Sequence, residues 1–448
     1  MGGVARVRGT VTVGMVAAQA TLILLATGAQ AIDSPDELLA RKLRTPMLTS
    51  TEGTFTGEGV CWHAASGAGD FVRGARQTGN LDYIDAGITY FDALVGKLHT
   101  SPDGYRGWVG PYMYDESVYA DVHVGDAILV ESMLALAEYV RTEVAPAPRP
   151  RYAEATAAYI DLAEHICEKW QARGTWREDG HYGGYISWGR FLTPEQPDVL
   201  QRHDVSNARL GLQFNKQQDM GIVHLRLYRL TGSREHRRKA VLIFSHTRSR
   251  LSLHDDYYTW NYWEPFYPGD VRSVDPPALS LWVNTHPYRD YQAGEVHDMV
   301  EAYHSGIVFT EEDMRRLVRT NLQMWNGDLE APEWVNSNLA VDQEAVPGYE
   351  PPQPDGQHYT RTAGRLWGGA GPLRLDTGVP GRCPGDQHRL RPTPLPAGQR
   401  VGLAHHAQHL PEHGLRPARR PGPRRARLRG QQGADRRSTA YCPDRCCR

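Results

Sequence analysis

Long segments of helical periodicity, separated by long loops rich in aromatic residues, are the feature that most restricts the possible folds of this chain. Apolar residues recur at helical spacing in the following segments. They are Asn80–Leu98, Ser117–Val144, Tyr152–Ala172, Ser206–Leu230, Arg234–Leu251, Tyr291–Ser305 and Thr310–Trp325. Strand signals are sparse, because the chain has no run of alternating β-branched residues and no Asn-Gly hairpin between such runs.

Two helix starts are marked by their capping residues. Ser34 precedes Pro35 and Glu37, the pattern of an N-cap followed by proline in the first turn and a capping-box acid. Thr310 precedes a run of acidic residues, and Phe309 and Met314 are spaced as a hydrophobic staple. We therefore expect helices to begin at both places.

The connecting loops indicate how these helices are arranged. Asp103–Met113 and Trp176–Arg190 are long and rich in Gly, Pro, Trp and Tyr, and loops of this kind in compact domains are usually functional. A generic helical bundle would favour short polar connections, and no fixed repeat supports a solenoid. We expect an all-α fold, an incomplete α/α toroid in which helical hairpins surround a central cleft.

The composition changes abruptly near Arg361. From Ala363 to Arg448 the chain has no Lys, Ile, Phe, Met or Asn, and it carries 17 Arg against 5 acidic residues. This tail therefore has a charge of +12, and the rest of the chain has a charge of −14 within a total of −2. An acidic body argues against nucleic acid as a partner.

Three interpretations of the tail are open. It is a disordered basic segment, a small metal or disulfide cluster around Cys442, Cys446 and Cys447, or GC-rich DNA translated out of frame. We favour the third, because it explains the absent amino acids, the arginine surplus and the lost periodicity together. The expected domains are then residues 32–362, a truncated catalytic toroid, and residues 363–448, a disordered tail.

The N-terminus has the pattern of a secretory signal peptide. Arg6 and Arg8 precede an apolar run that ends before the small-residue site Ala29-Gln30-Ala31. The run is short for a membrane anchor, so we expect residues 1–31 to be removed and the protein to be secreted or periplasmic. In such a compartment Cys61 and Cys167 can form a disulfide, but their sequence positions do not establish it.

Aromatic and charged residues are concentrated between Asp255 and Gly306. This stretch contains Trp260, Trp263 and Trp282 beside carboxylate, imidazole and guanidinium groups. Such groups suit a sugar-binding cleft, in which rings stack on pyranose faces and charges orient hydroxyls or a uronate. An aromatic core between helices is the alternative for any single residue.

Metal and serine-hydrolase chemistry find little support in the sequence. His286, His297, His304, Glu295 and Asp298 are numerous, but the chain has no HExxH motif or Cys pair in its body. It also has no Gly-x-Ser-x-Gly elbow. We expect neither a metal nor another cofactor.

Two chemistries suit an aromatic cleft with charged residues. Glycoside hydrolysis needs two carboxyl groups flanking the bond, for which Glu264, Asp270, Glu116 and Asp121 are candidates. β-Elimination of a uronate needs groups that neutralise the carboxylate, a base for the C5 proton and an acid for the leaving oxygen. The run His286-Pro287-Tyr288-Arg289-Asp290-Tyr291 supplies imidazole, guanidinium and phenols, and it favours elimination.

Several phrases resemble those of secreted bacterial α/α-toroid polysaccharide lyases, in particular polysaccharide lyase family 38. They are FNKQQDM, YYTWNYWEP, HPYRDYQAGE, VEAYHSGIVFTEEDM and MWNGD, and the resemblance extends from about Ser34 to Arg361. It implies cleavage of glucuronan or an alginate-like polymer by a Tyr base and acid, without a cofactor. The implied partner is an anionic polysaccharide.

The resemblance also implies site residues. It makes Asn215 the carboxylate-neutralising amide and Glu264 a positioning acid. Local chemistry adds Tyr291 as base, Arg289 as a neutralising cation and His286 as a helper or rival base. The expected substrate contacts are Trp188, Trp260, Trp263, Tyr288, Tyr359 and Arg361, of which the last three also rival the catalytic assignments. A glycoside hydrolase and a non-catalytic carbohydrate-binding protein are the alternatives.

Overall fold

The computed structural model describes residues 33–44, 57–65, 68–112, 115–193, 195–202, 210–264, 289–325, 327, 333–335 and 361–363. The signal-peptide pattern and nearly all of the arginine-rich tail lie outside these residues, so both interpretations stay predictions. In the described part of the chain, no helix is long and apolar enough to cross a membrane.

The described residues are mainly helical. The α-helices are α1 (Pro35–Leu43), α2 (Gly57–Ala65), α3 (Asp70–Thr78), α4 (Asp82–Val95), α5 (His123–Thr142), α6 (Ala153–Ala172), α7 (Phe214–Thr231), α8 (Arg234–Ser249), α9 (Arg289–His304) and α10 (Glu311–Met324). A short 3₁₀ turn, Arg149–Tyr152, precedes α6.

The strands are short and lie in the connections between helices. They are β1 (His99–Thr100), β2 (Arg106–Gly107), β3 (Gly110–Tyr112), β4 (Asp115–Ala120), β5 (Trp176–Glu178), β6 (Gly183–Tyr185), β7 (Arg190–Thr193), β8 (Gln196–Arg202), β9 (Ser252–His254), β10 (Tyr257–Thr259), β11 (Glu333–Val335) and β12 (Arg361–Ala363). One antiparallel sheet has four strands in the order β3-β4-β7-β8, and the other described sheets have two.

Helices that follow one another in the chain pack as hairpins. The pairs α3/α4, α5/α6 and α7/α8 are in direct contact. Helix α7 also packs against α5, α6 and α9, and α5 packs against α2. This arrangement of helical hairpins, with long connections between them, confirms the all-α toroid class expected from the sequence.

Two apolar clusters form most of the core. The first includes the fully buried Phe71, Tyr90 and Trp170 from α3, α4 and α6. The second lies around α7 to α10 and includes Phe244 and Met299. Burial of these side chains, at about 25 cal/mol per Å² of apolar surface, is the main stabilising contribution.

Both predicted helix starts are confirmed. Ser34 accepts a hydrogen bond from the Glu37 main chain, and the Glu37 carboxylate accepts one from the Ser34 main chain. Thr310 forms the same reciprocal box with Asp313. Phe309 and Met314 are both buried in the second cluster, as a staple requires.

The start of the second predicted helix was wrong. Ser117–Ala120 belong to β4, and the helix begins only at His123. Val118 and Ala120 alternate with more exposed neighbours and pack on Tyr112 and Phe191 of the adjoining strands. Pairing with β3, which lies just before β4 in the chain, and with the distant β7 overrides the local helical pattern here.

The disulfide considered from the sequence does not form. Cys61 and Cys167 are both buried free cysteines. The Cys61 thiol donates to the Gly57 carbonyl within its own helix, whereas Cys167 faces a histidine of α7.

Candidate functional site

A cleft opens where β4 meets α5, beside the β6–β7 connection and the start of α7. We call it the cleft throughout. Its lining residues are Tyr112, Asp121, Val122, His123, Val124, Ser187, Trp188, Gly189, Arg190, Phe191, Gly211, Leu212, Gln213, Lys216 and Trp263. Aromatic rings, an imidazole and two cationic side chains therefore face one concavity, the kind of surface that takes a polar ligand.

Two tryptophans that the sequence predicts as substrate contacts line the cleft. Trp263 is held by a hydrogen bond from its indole nitrogen to the Gly211 carbonyl, at 2.8 Å. Trp188 lies under the Arg173 guanidinium, 3.7 Å from the ring centroid, and meets the edge of Trp170. Trp263 is only 1% exposed and forms part of the cleft wall, whereas Trp188 is half-buried and is the more accessible of the two rings.

A buried ion cluster lies beneath the cleft. Lys169 contacts both carboxylate oxygens of Asp121 at 2.9 Å, and Arg173 contacts Asp121 at 2.7 Å. Burial opposes ionisation of Asp121, but Lys169 and Arg173 together lower its pKa below the ordinary value. Asp121 is therefore a structural anion, because it is ionised and fully paired.

Asp126 also belongs to the ion cluster, but its pKa is raised, whereas that of Asp121 is lowered. Its Oδ2 atom contacts Lys169 at 2.6 Å and accepts a hydrogen bond from the Trp170 indole at 2.9 Å. Its Oδ1 atom is buried without a hydrogen-bond partner. Burial raises the pKa of Asp126 to about 7, although Lys169 acts against this rise.

His123 is the titratable base of the cleft wall. Its ring stacks on Trp170 at 3.7 Å, and its Nε2 atom lies 2.9 Å from the Thr175 hydroxyl. Burial lowers the pKa of His123 well below the ordinary value, and Lys169 and Arg173 lower it further. At neutral pH this imidazole is uncharged and can accept a proton.

A second group of titratable residues, which we call the acid array, lies between α5, α7 and α9. It consists of Glu131, Asp219, Glu295 and Asp298. Burial raises the pKa of Glu131 to about 7 and that of Glu295 to about 8. Burial, followed by repulsion from Glu131, also raises the pKa values of Asp219 and Asp298 well above the ordinary range. The acid array is therefore largely protonated at neutral pH.

The acid array is joined to residues that the sequence predicts as functional. The Trp260 indole donates to Glu295 at 2.6 Å, and the main chain of Asn215 also hydrogen-bonds to Glu295. Trp260 is 2% exposed, so in this structure it is a buried partner of Glu295 and is not part of the cleft lining.

Several buried polar atoms beside the acid array meet no hydrogen-bond partner among the described residues. They are the Oδ1 atom of Asn215, the Oε1 atom of Glu295, and both side-chain polar atoms of Gln218 and Gln292. Each such group costs about 1–3 kcal/mol when left unmet. Native proteins leave few buried polar groups without a partner, so this concentration indicates that the region has a function that requires polar side chains.

The remaining predicted residues have different surroundings. Tyr291 lies in the first turn of α9, is 37% exposed, and has its ring 5.2 Å from that of Tyr262. The Tyr262 carbonyl accepts a hydrogen bond from the first residue of α7, which places Tyr291 near the start of that helix. Glu264 is half-buried and accepts a hydrogen bond from Asn261 at 2.6 Å.

Part of the predicted constellation lies outside the described residues. His286, Tyr288 and Tyr359 are among these, and only the main chain is described for Arg289 and Arg361. The assignment of Arg289 and His286 around Tyr291 therefore stays a prediction.

A third group of potentially functional side chains is brought together by the fold and was not predicted from the sequence. Cys167, His224 and His236 come from α6, α7 and α8, and their ligand atoms lie within 4.8 Å of one another. No spacing in the sequence marks them, because each residue comes from a different helix.

Comparisons with known proteins do not assign the chain to a family. No family model matches it, and no curated protein matches it. One matching solved structure is a glycoside hydrolase family 76 mannosidase, Bt3792 from Bacteroides thetaiotaomicron VPI-5482. The match has 10% identity and a TM-score of 0.35 and covers 60% of each chain. Membership of polysaccharide lyase family 38 stays a prediction.

Proposed function

We propose that this protein is a carbohydrate-active enzyme that binds an anionic polysaccharide in the cleft and cleaves it by β-elimination. The observation that carries the proposal is the composition of the cleft. It places Trp188 and Trp263 beside the cations Arg190 and Lys216, together with the neutral imidazole of His123. Among its described lining residues the only carboxylate is Asp121, which is already paired with Lys169 and Arg173.

This composition supports elimination over hydrolysis at the cleft. Elimination requires positive charge or hydrogen-bond donors against the uronate carboxylate, because the C5 proton is acidic only when that charge is neutralised. A base then removes the C5 proton, the electron pair forms the C4–C5 double bond, and the oxygen leaving C4 takes up a proton. A carboxylate locked in ion pairs is a poor general acid for hydrolysis.

The residues proposed for this reaction combine the sequence prediction with the cleft. Arg190 and Lys216, which line the cleft, neutralise the carboxylate together with Asn215 and Arg289. Tyr291, which with Asn215 and Arg289 comes from the sequence prediction and is not among the lining residues of the cleft, removes the C5 proton. His123 is the rival base, since it lines the cleft and is uncharged at neutral pH.

Purified protein is tested on glucuronan, alginate and hyaluronan by the ultraviolet absorbance of the unsaturated uronate product. Tyr291→Phe is expected to lower kcat by about 10²–10⁴-fold with little change in KM. Tyr303→Phe, a tyrosine on the same helix, is the matched control and is expected to retain activity. If Tyr291→Phe is active and His123→Gln is not, His123 is the base.

Glycoside hydrolysis is the second candidate, and the acid array favours it. A carboxyl group with a pKa of about 8, as in Glu295, is protonated at neutral pH and has the protonation state of a general acid. New reducing ends without the ultraviolet signal, abolished by Glu295→Gln or Glu264→Gln but retained by Tyr291→Phe, would replace the lyase proposal.

Saturable polymer binding without any product would indicate a non-catalytic carbohydrate-binding protein.

We also propose that the protein acts outside the cytoplasm, a proposal that rests on the signal-peptide pattern alone. N-terminal sequencing of the exported protein is expected to begin at Ile32, and a start at Met1 or Gly2 contradicts it.

A further inference from the structure

Three side chains with metal-binding atoms converge at a point between α6, α7 and α8. The Sγ atom of Cys167 lies 3.7 Å from Nδ1 of His224, and the Nδ1 atoms of His224 and His236 are 2.8 Å apart. Cys167 and His224 are fully buried, and His236 is partly buried. Neither the proposed polysaccharide chemistry nor the cleft uses these residues.

The outer nitrogen of each imidazole also has an acceptor or partner. Nε2 of His224 lies 2.7 Å from the Tyr185 hydroxyl, and Nε2 of His236 lies 3.9 Å from a carboxylate oxygen of Glu164. Metal-binding histidines usually have such a partner on their second nitrogen, because it fixes the tautomer and aims the other nitrogen at the ion. The Tyr185 contact therefore orients the His224 ring with Nδ1 toward the thiol, and Nδ1 of His236 faces Nδ1 of His224.

The tautomer of His224 decides how its Nδ1 atom is used. With Nε2 protonated toward Tyr185, the Cys167 thiol and the His236 ring share the single lone pair of Nδ1, and a cation among the three atoms removes this competition. With the Tyr185 hydroxyl donating to Nε2, Nδ1–H of His224 donates to His236 in the metal-free protein.

We propose that Cys167, His224 and His236 bind a zinc ion that links α6, α7 and α8. One thiolate and two neutral imidazoles are preferred ligands of Zn²⁺, which takes four ligands in tetrahedral geometry. Binding breaks the S–H bond of Cys167, forms the Zn–S bond and releases the proton to solvent. The fourth ligand is water.

The charges around the site are compatible with a dication. Lys239 is the nearby cation on α8, and its Nζ atom is held by Gln171 and faces the Trp176 ring at 5.2 Å. The carboxylate of Glu164 and the thiolate that Cys167 forms on binding zinc offset its charge, whereas Glu235 is already paired with Arg238. Zinc therefore adds a net positive charge to a region that already has anionic partners.

Metal content and thermal unfolding of the full-length protein test this proposal. Protein stripped with a chelator and re-equilibrated with Zn²⁺ is expected to retain one zinc per chain after dialysis, and to unfold at a higher temperature than the stripped protein. Cys167→Ser and His236→Gln are expected to lose the retained zinc and the zinc-dependent rise in Tm. Cys61→Ser, the other buried cysteine of the described residues, is the matched control and is expected to keep both.

Cobalt substitution keeps the proposal testable if Cys167→Ser does not fold. Stripped wild-type protein with Co²⁺ is expected to show the thiolate-to-cobalt charge-transfer absorption and the intense visible bands of a tetrahedral site. Retention of less than a tenth of an equivalent of zinc, zinc retention by both variants, or a cobalt spectrum without the thiolate band would overturn the proposal.

Discussion

Asp121 of the ion cluster and the carboxyl groups of the acid array are all buried, but their pKa values are shifted in opposite directions. In the ion cluster, Lys169 and Arg173 lie against Asp121 at hydrogen-bonding distance, and this carboxylate stays ionised. In the acid array, burial acts on carboxyl groups that repel one another, and their pKa values rise. Paired cations keep Asp121 ionised, but Asp126, which shares Lys169 with it, has its pKa raised to about 7 by burial. A buried carboxyl group is therefore an anion only where the contacts with cations outweigh the effect of burial.

Arg226 and Arg229 have the same effect on Glu301, a carboxyl group on the helix that also carries Glu295 and Asp298. Arg226 forms a two-point ion pair with Glu301, at 3.0 and 2.7 Å, and Arg229 contacts the same carboxylate. Although burial opposes it, these cations hold the pKa of Glu301 well below its usual range. Asp298, three residues earlier on the same helix, has its pKa raised.

Removing the cation of the ion cluster is expected to have the largest effect. Lys169→Met leaves Asp121 and Asp126 buried without their shared partner, so the free energy of unfolding should fall by about 3–5 kcal/mol. Arg238→Met, which breaks exposed ion pairs with Glu178 and Glu235, should cost about 0–1 kcal/mol. Denaturant titration of both variants measures the difference, and equal losses would contradict the assignment of a buried cluster.

A smaller effect is expected from crowding the same cluster. A Cβ atom on Gly107 would lie 2.4 Å from Nζ of Lys169 and 2.5 Å from Oδ1 of Asp121. Gly107→Ala should therefore destabilise the protein by about 1–3 kcal/mol. Gly294→Ala in α9 meets no atom within 4 Å and should stabilise the protein by up to about 1 kcal/mol through helix propensity. Opposite signs in thermal unfolding support the contrast, and destabilisation by both changes would remove it.

Protonation of the acid array is expected to make the free energy of unfolding depend on pH. The pKa of Glu295 is raised from 4.5 to about 8, so its contribution to the free energy of unfolding is greatest below pH about 4.5 and is lost as pH rises from there through about 8. Glu295→Gln should reduce the fall of the unfolding free energy over this range by up to about 1.4 kcal/mol per pH unit. Denaturant titrations at intervals from pH 5 to pH 8 (about 1 unit apart) test this. A variant whose slope equals that of the wild type would show that Glu295 is ionised in the folded protein.

Local signals predicted the helices, and long-range pairing explains where those predictions were wrong. The capping boxes at Ser34 and Thr310 are satisfied within four residues, so their sequence patterns were sufficient. Ser117–Ala120 form a strand because β4 pairs with β3, just before it in the chain, and with the distant β7, whose Phe191 packs with Val118 and Ala120. The pairing with β7 is not contained in any local pattern.

The sequence predicted the types of residue in the candidate site, but it did not predict which of them line the cleft. The sequence marked Trp188 and Trp263 as substrate contacts, and both line the cleft. It marked Trp260 in the same way, but this ring is buried against Glu295. Trp260 and Trp263, three residues apart, have different surroundings because the indole of Trp260 donates to Glu295 of α9 and that of Trp263 donates to the Gly211 carbonyl. A sequence pattern does not specify these distant partners.

The sequence by itself determined the helical class, two helix starts, the concentration of aromatic and charged residues, and the change of composition near Arg361. These properties depend on spacing and composition within short segments. Tertiary structure alone decided that Asp121 is an ion, that Glu295 is an acid, and that Cys167, His224 and His236 share one point in space. Protonation depends on burial and on the charges nearby, and ligand geometry depends on the packing of separate helices, so neither follows from the order of residues along the chain.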